Sequence, residues 1–384
     1  AGRQIELLGK SVWIRYMELF GQSIALPEDG YQGDYVKDIA VWFKEQYQDQ
    51  YVQDLDQKVI QFFSEKSASI ILEGMKEDLN TFAVRFDRFF SETEFRKTPE
   101  VEHCLAYLKE HQFIYEHDGA VWFRSSDYGD DKDRVLVRSN GQQTYFCPDI
   151  AYHRNKLSRG FDRLIDIWGP DHHGYIPRMR AALRALGLDE EAFDVIILQL
   201  ATLYEGDTKL SMSTRKGEFV SLRQIIEEVG MEVARYFFLM RRTDSHLDFD
   251  LALAKKHSMD NPVYYIQYAY ARIASIFREY QNSGGDFNKA PQTLNVQDPE
   301  GLEMIKLMGM YPDVLENSAA QLQPNILTDY LQKLAGAFHS FYAKCRVLTE
   351  DQELSMSRLR LIQAVQIIIK NGFSLLGISA PESM

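Results

Sequence analysis

Between residues 163 and 200 the sequence reads strand, helix, strand, and that order restricts the fold more than any other feature of the chain. RLIDIWG at 163–169 and FDVIILQL at 193–200 are short, nearly unbroken apolar runs, the pattern of strands buried on both faces. Between them YIPRMRAALRALG carries apolar residues at helical spacing and stops on Gly187, a residue suited to the left-handed turn that ends many helices. A crossover helix makes its flanking strands parallel neighbours, since antiparallel strands need only a hairpin. A parallel α/β sheet is therefore expected here.

The flanking sequence is different in kind. Residues 1–112 keep a helical period, with Ile5, Leu8, Val12 and Tyr16 on one face and Ile60, Phe63, Ile70 and Ile71 spaced likewise. Two hairpin signals follow, Asp118-Gly119 between FIYEH and AVWFR, and Asn140-Gly141 between RVLVR and QQTYF. Ser221 with Gln224 three residues on forms a capping-box signature for a helix ending at Gly230. Beyond 231 no strand is expected, only helices over 262–281, 302–316, 325–347 and 357–377, interrupted by a Gly/Asn/Pro-rich stretch at 282–299. The class is α/β plus all-α. Its expected division is a mostly helical insertion over 1–130, the sheet over 131–230 and a helical bundle over 231–384.

Composition removes several alternatives. The 384 residues are 45% hydrophobic and 26% charged, and no uninterrupted apolar run approaches membrane-spanning length. Three cysteines, Cys104, Cys147 and Cys345, stand far apart, which suggests neither a disulfide framework nor a cysteine-built zinc site and fits a reducing, cytoplasmic compartment. A net charge of −13 tells against non-specific nucleic-acid binding, yet exposed charges are screened beyond about 8 Å, so one basic or aromatic face can still hold RNA. The chain opens on Ala1 rather than Met and runs straight into a helix, as a piece of a longer protein would.

Four segments carry chemistry. The loop 207–217, DTKLSMSTRKG, sets Lys209, Arg215 and Lys216 among Ser211, Met212, Ser213 and Thr214, a mixture of cations and hydroxyls that suits polyphosphate as well as it suits a solvated loop. Trp168-Gly169-Pro170-Asp171-His172-His173-Gly174 follows the first parallel strand, where ligands of open α/β sheets lie. Gly169 there lets backbone approach a ribose, Asp171 is able to accept from sugar hydroxyls or an ammonium, and a third and fourth metal ligand at recognisable spacing are missing. In TYFCPDIAY at 144–152, expected to end a strand, Tyr145 and Asp149 suit a pocket for a planar cation, although Asp149 would serve equally to cap the next helix. In the last third, aromatics beside cations suit single-stranded RNA, and the same spacing also suits a bundle core.

The run TYFCPDIAYHRNKLSRGFDRLIDIWGPDHHGYIPRMRAALRALG resembles the arginyl-tRNA synthetases almost throughout, and SMSTRKG resembles the lysine-methionine-serine loop of class I aminoacyl-tRNA synthetases. VGMEVARYFFLMRRTDSHLDFDLALA, DNPVYYIQYAYARIASI, LTDYLQKLAGAFHSFYAKCRVL and the terminal GISAPESM are similar to that family's anticodon-binding domain in order and spacing. The resemblance covers essentially the whole chain and implies an incomplete Rossmann-like parallel sheet with a helical insertion, followed by a helical-bundle anticodon-binding domain.

It implies arginine activation with ATP and Mg²⁺, transfer to the arginine tRNA, a monomer, no membrane and no protein-bound metal. The positions matching the family's arginine pocket are Tyr145, Asp149 and Asp171. Gly169, Asp171, His172 and Met212 match nucleotide contacts, Lys209, Ser211, Met212, Ser213, Arg215 and Lys216 the activation loop, and Tyr342, Arg346 and Met384 the anticodon contacts. Ser211 and Thr214 stand where the loop pattern has lysines, which leaves Lys209, Arg215 and Lys216 as candidates for the pyrophosphate.

The class's other signature, His-x-Gly-His, matches none of the nine histidines. The chain is accordingly expected to begin just beyond that turn and to be inactive by itself. Two other readings stand beside this one: a non-catalytic tRNA-binding module, and a cysteinyl-tRNA synthetase-like ligase, which would need zinc ligands.

Overall fold

The computed structural model describes residues 2–52, 56–206, 208–210, 219–287 and 295–384. They form two compact units, Ala1–Arg85 with Ala201–Arg242 and Leu247–Met384, and Phe86–Leu200 with Thr243–His246.

The first unit opens with α1 (Arg3–Glu18), α2 (Asp34–Tyr47) and α3 (Gln57–Thr81). The expected stripe on α1 is real from Leu8 onward: Leu8, Val12 and Tyr16 are buried, while Ile5 is exposed. They share a core with Val36, Phe43 and Phe63, in which the Phe43 and Phe63 rings stack at 4.1 Å. Asp56 begins α3 by accepting from the Val59 amide.

The second unit runs through α4 (Glu92–Phe95), α5 (Glu100–Glu110), β1 (Ile114–His117), β2 (Ala120–Phe123), β3 (Arg134–Val137), α6 (Phe146–Ser158), β4 (Leu164–Trp168), α7 (Ile176–Ala185) and β5 (Phe193–Ile197). The Asp118-Gly119 hairpin forms as expected, both residues having the positive φ that such a turn requires. The Asn140-Gly141 turn also closes, with the Gly141 amide donating to the Arg138 carbonyl, Arg138 to Gln142 and Thr144 to Leu136, but it does not lead into a second strand. Its return arm makes one isolated bridge, Val137 to Gln143, and the expected strand ending at Tyr145 is instead the approach to α6. Thr144 closes the strand with its hydroxyl on the Val135 carbonyl, and Pro148, which has no N–H for a ladder, sits in the first turn of a helix without cost.

β4 and β5 pair in parallel from Leu164 opposite Phe193 to Trp168 opposite Ile197. Only one face of this pair is covered, contrary to the expectation of strands buried on both. Leu164 and Asp166 point into the unit's core, whereas Ile165, Ile167, Leu198 and Leu200 are exposed.

The chain then returns to the first unit with β6 (Ala201–Glu205), β7 (Thr208–Lys209), α8 (Leu222–Val229), α9 (Met231–Leu239), β8 (Leu247–Asp250) and α10 (Leu251–Ala254). The capping box of α8 is present in full, and Gly230 ends the helix at φ +81°. A strand does occur beyond 231: β8 pairs in parallel with β6, burying Leu247 and Phe249. Four residues of alternation are too few to stand out from helical patterns on either side.

The remaining helices are α11 (Pro262–Asn282), α12 (Pro299–Gly309), α13 (Tyr311–Ala320), α14 (Asn325–Lys344) and α15 (Gln352–Leu376). The single helix expected over 302–316 is two, because Pro312 starts α13 in its first turn. Leu331, Leu334, Phe338 and Phe341 of α14 interlock with Leu359, Ile362, Val365, Ile369 and Phe373 of α15, all fully buried. By length and apolarity α15 is sufficient to cross a membrane, and here it packs as a core helix against α11, α12 and α14.

The crossing of α1 and α3 depends on Gly9. A Cβ there would lie 2.5 Å from the Ser64 amide nitrogen and 2.7 Å from its Cα, and backbone cannot step aside as a side chain can. Gly9→Ala is therefore expected to cost about 1–3 kcal/mol by over-packing. Chemical denaturation should show this as a lower midpoint with an unchanged slope.

Candidate functional site

In the second unit the chemistry gathers around the first turn of α6 and the carboxyl end of β4. Tyr145 is the N-cap of α6, and its ring is 81% exposed. Asp149 lies four residues on, half-buried, and does not cap the helix. Its Oδ2 accepts from the Tyr175 hydroxyl at 2.6 Å, and Oδ1 has no hydrogen-bond partner among the described residues. Burial raises the Asp149 pKa. Tyr175's donation, His153 and Arg96 oppose that rise, and Glu92 adds to it. Burial and the Asp149 charge together push the Tyr175 phenol far above its ordinary value, so it stays a donor.

Beneath this pair lies a buried ionic group. His153 Nδ1 is 2.8 Å from the Asp149 carbonyl and Nε2 is 2.8 Å from Asp166 Oδ2, while Lys156 Nζ donates to Asp166 Oδ1 at 2.6 Å. Asp166 belongs to β4, so these contacts tie the helix carrying Asp149 to the strand ending at Trp168. Burial alone would raise the Asp166 pKa, but hydrogen bonds and charge from His153 and Lys156 hold it below the usual carboxylate value.

Past the end of β4 the chain makes a short 3₁₀ turn over Pro170–Tyr175. Asp171 is exposed there, with His172 Nε2 3.5 Å from its Oδ2. A Cβ on Gly169 would meet only Asp171 Oδ1, at 2.8 Å, the tip of an exposed side chain that is free to turn aside. Tyr175 closes the group, with its ring 5.8 Å from that of Trp168 and the Arg178 guanidinium over its face at 4.9 Å. Asp149 and the turn after β4 are thus joined through Tyr175, a residue the sequence reading did not single out. Its only signal was its place directly after the Gly-rich turn.

Lys209 lies in the other unit, exposed on β7 opposite Tyr204. Ser211, Met212, Ser213, Arg215 and Lys216 lie outside the described residues. Among the described residues no group of three or more His, Cys, Asp or Glu is placed to hold a metal.

The helical unit carries a second feature. Tyr342, exposed near the end of α14, shares the Arg272 guanidinium with Tyr268, the cation standing 5.3 and 5.1 Å from the two rings. Arg272 also donates to the Tyr268 hydroxyl, and Tyr268 stacks with Tyr264 and with His339. Burial keeps the His339 pKa low and Arg272 adds to that, so the ring is neutral. Tyr342 and Arg346 line one cavity of about 440 Å³. Met384 lines another, of about 500 Å³, with Lys255, Lys256, His257 and Tyr264. Tyr264, Tyr268, Arg272 and His339 were missed in the sequence because their spacing along α11 and α14 is also that of a buried face.

Residues 31–249 match the family described as tRNA synthetases class I (R), catalytic domain, and residues 266–384 match the DALR anticodon binding domain. The arginine–tRNA ligase of Geobacter sp. (strain M21) is 49% identical over 387 residues, covering 100% of this chain and 70% of the relative. An arginyl-tRNA synthetase structure from Campylobacter jejuni is 33% identical with a TM-score of 0.87, over 100% of this chain and 83% of that one. The Thermus thermophilus arginyl-tRNA synthetase shares the fold at a TM-score of 0.75 and 20% identity, over 97% and 74%.

The ionic group generates a test. An acid with a depressed folded pKa adds stability that is complete above its unfolded value of about 3.9 and is lost as pH falls through the folded value. At pH 7, His153→Ala leaves Asp166 buried with one partner fewer and is expected to cost about 3 kcal/mol in chemical denaturation. At low pH, where Asp166 is protonated, that cost should shrink.

Proposed function

The chain belongs to the arginyl-tRNA synthetases, class I ligases that join arginine to its tRNA, and we propose that Asp149 is the acceptor for the substrate's guanidinium. One observation carries this reading: a half-buried carboxylate, hydrogen-bonded by a phenol on one oxygen and open on the other, beside the carboxyl end of a parallel strand pair. A guanidinium offers five donors and no acceptor, so it matches such a site, whereas a neutral side chain would leave Asp149 without a counter-charge. Tyr145 supplies an exposed ring at the mouth, and Asp171 takes the α-ammonium or a ribose hydroxyl.

Aminoacyl-tRNA synthetases use ATP, and here ATP with Mg²⁺ is read as a co-substrate meeting Gly169, Asp171, His172 and Met212. The reaction of this class is in-line attack of the arginine carboxylate on the α-phosphorus, with the bond to the bridging oxygen breaking, to give arginyl-adenylate and pyrophosphate. Lys209, Ser211, Met212, Ser213, Arg215 and Lys216 are assigned to the departing charge. The terminal ribose hydroxyl of the tRNA then displaces AMP. No nucleophilic side chain is needed, only positioning and charge stabilisation.

Tyr342, Arg346 and Met384 are assigned to the anticodon loop, with Tyr268 and Arg272 beside Tyr342 in support. Residues 1–130 are read as the connective insertion, 131–230 as the part of the catalytic domain bearing the activation loop, and 231–384 as the anticodon-binding domain. We place the protein in the cytoplasm as a monomer.

Two measurements test the assignment. Exposed rings stack on unpaired bases for ~1–3 kcal/mol each, so Tyr342→Ala should weaken arginine tRNA binding by roughly ten-fold in fluorescence anisotropy. An unchanged affinity would remove Tyr342 from the interface. The chain contains no His-x-Gly-His turn to stabilise charge on the α-phosphate, so pyrophosphate exchange with arginine, ATP and arginine tRNA is expected to stay at background. Robust arginine-dependent exchange would show that turn to be dispensable.

A further inference from the structure

Tyr175 touches both sides of the proposed pocket, with its hydroxyl on Asp149 and its ring against Trp168 at the end of β4. The Phe146 ring packs 5.8 Å away on the α6 side, and Arg178 covers its face at 4.9 Å. A ring held on three sides has little rotamer freedom, so the direction of its O–H is set by the fold.

We infer that Tyr175 is a positioning and specificity-determining residue of the arginine pocket, its hydroxyl engaging Asp149 Oδ2 at 2.6 Å and leaving Oδ1 as the acceptor for the substrate. The inference rests on the reading of Asp149 as the guanidinium acceptor. The chemistry follows from what each group has left to offer. Tyr175 spends its single proton on Asp149, so toward a ligand it presents only lone pairs. Asp149, ionised, also presents only lone pairs. A guanidinium, all donors, satisfies both. An uncharged ureido analogue such as citrulline carries a carbonyl in place of one donor, and that oxygen would face acceptors alone.

Tyr175 also governs the charge. Burial drives the Asp149 pKa upward and Glu92 on α4 adds to it, while the Tyr175 donation, His153 on α6 and Arg96, the residue that caps α4, work against it. Replacing the hydroxyl by hydrogen removes the first-named of these opposing contributions and leaves the others. Tyr175→Phe retains the ring, and with it the contacts to Phe146, Trp168 and Arg178, so the variant keeps its packing.

The test uses the 384-residue chain with carbonyl-labelled aspartate, the Asp149 resonance being assigned by its loss in Asp149→Asn. In Tyr175→Phe the Asp149 titration midpoint should rise by roughly one pH unit. Calorimetry should show arginine affinity falling about ten-fold at neutral pH, with the preference for arginine over citrulline reduced. An unmoved midpoint with unchanged preference overturns the role of Tyr175. A moved midpoint in a wild-type chain that does not bind arginine overturns the assignment of Asp149 instead, and the two failures are thereby separable. Comparable thermal midpoints for the two proteins would exclude general unfolding as the source of the loss.

Discussion

Taking the Asp149 carboxylate halfway out of water is the constraint on which the pocket depends. Burial by itself raises the pKa and so favours the protonated form, which under the proposed reading has no charge with which to choose arginine. Tyr175 at 2.6 Å, with His153 and Arg96 nearby, keeps the charged form within reach while the low-dielectric surroundings strengthen whatever it meets. In the proposed pocket, selection and burial therefore come from the same arrangement. A fully solvated aspartate would be ionised without effort and would discriminate poorly.

The support for that arrangement runs down through α6 into the sheet. His153 bonds the Asp149 carbonyl on one side and Asp166 on the other, and Lys156 shares Asp166. A charged group on the covered face of β4 is costly unless fully paired, and here the pairing fixes the helix against the strand that leads into the 169–174 turn. This explains an oddity of β4, which turns Asp166 inward and leaves Ile165 and Ile167 exposed. The anticodon-binding unit relies on different physics. Its core is an apolar interlock of α14 and α15, and the Arg272 guanidinium stands between half-buried Tyr268 and exposed Tyr342.

Much of this was legible in the sequence, and the parts that were not share a cause. The parallel pair β4 and β5, the Asp118-Gly119 hairpin and the capping box at Ser221 each follow from chemistry within a few residues, and each formed as read. The long helices from Pro262 onward did too, apart from the break at Pro312. The Asn140-Gly141 turn has the same local signal as its neighbour, but Thr144 and Pro148 divert the return arm into α6, a competition no dipeptide reveals. β8 forms against an edge that β6 offers from 46 residues earlier, where Ala201 pairs with Leu247. Among the proposed site residues, Asp149 and Asp171 were marked by family resemblance. Tyr175 was not legible, since its contact with Asp149 spans 26 positions of the chain.

The most direct test of the central claim is the pH dependence of arginine binding, followed by calorimetry on the wild-type chain and on Asp149→Asn. If the ionised carboxylate selects the guanidinium, wild-type affinity is full at neutral pH and falls as pH drops through a midpoint above that of an ordinary aspartate. The Asn variant should then bind about a hundred-fold more weakly, with no dependence over the same range. Equal affinity in the two proteins, or the same pH profile in both, would contradict the account.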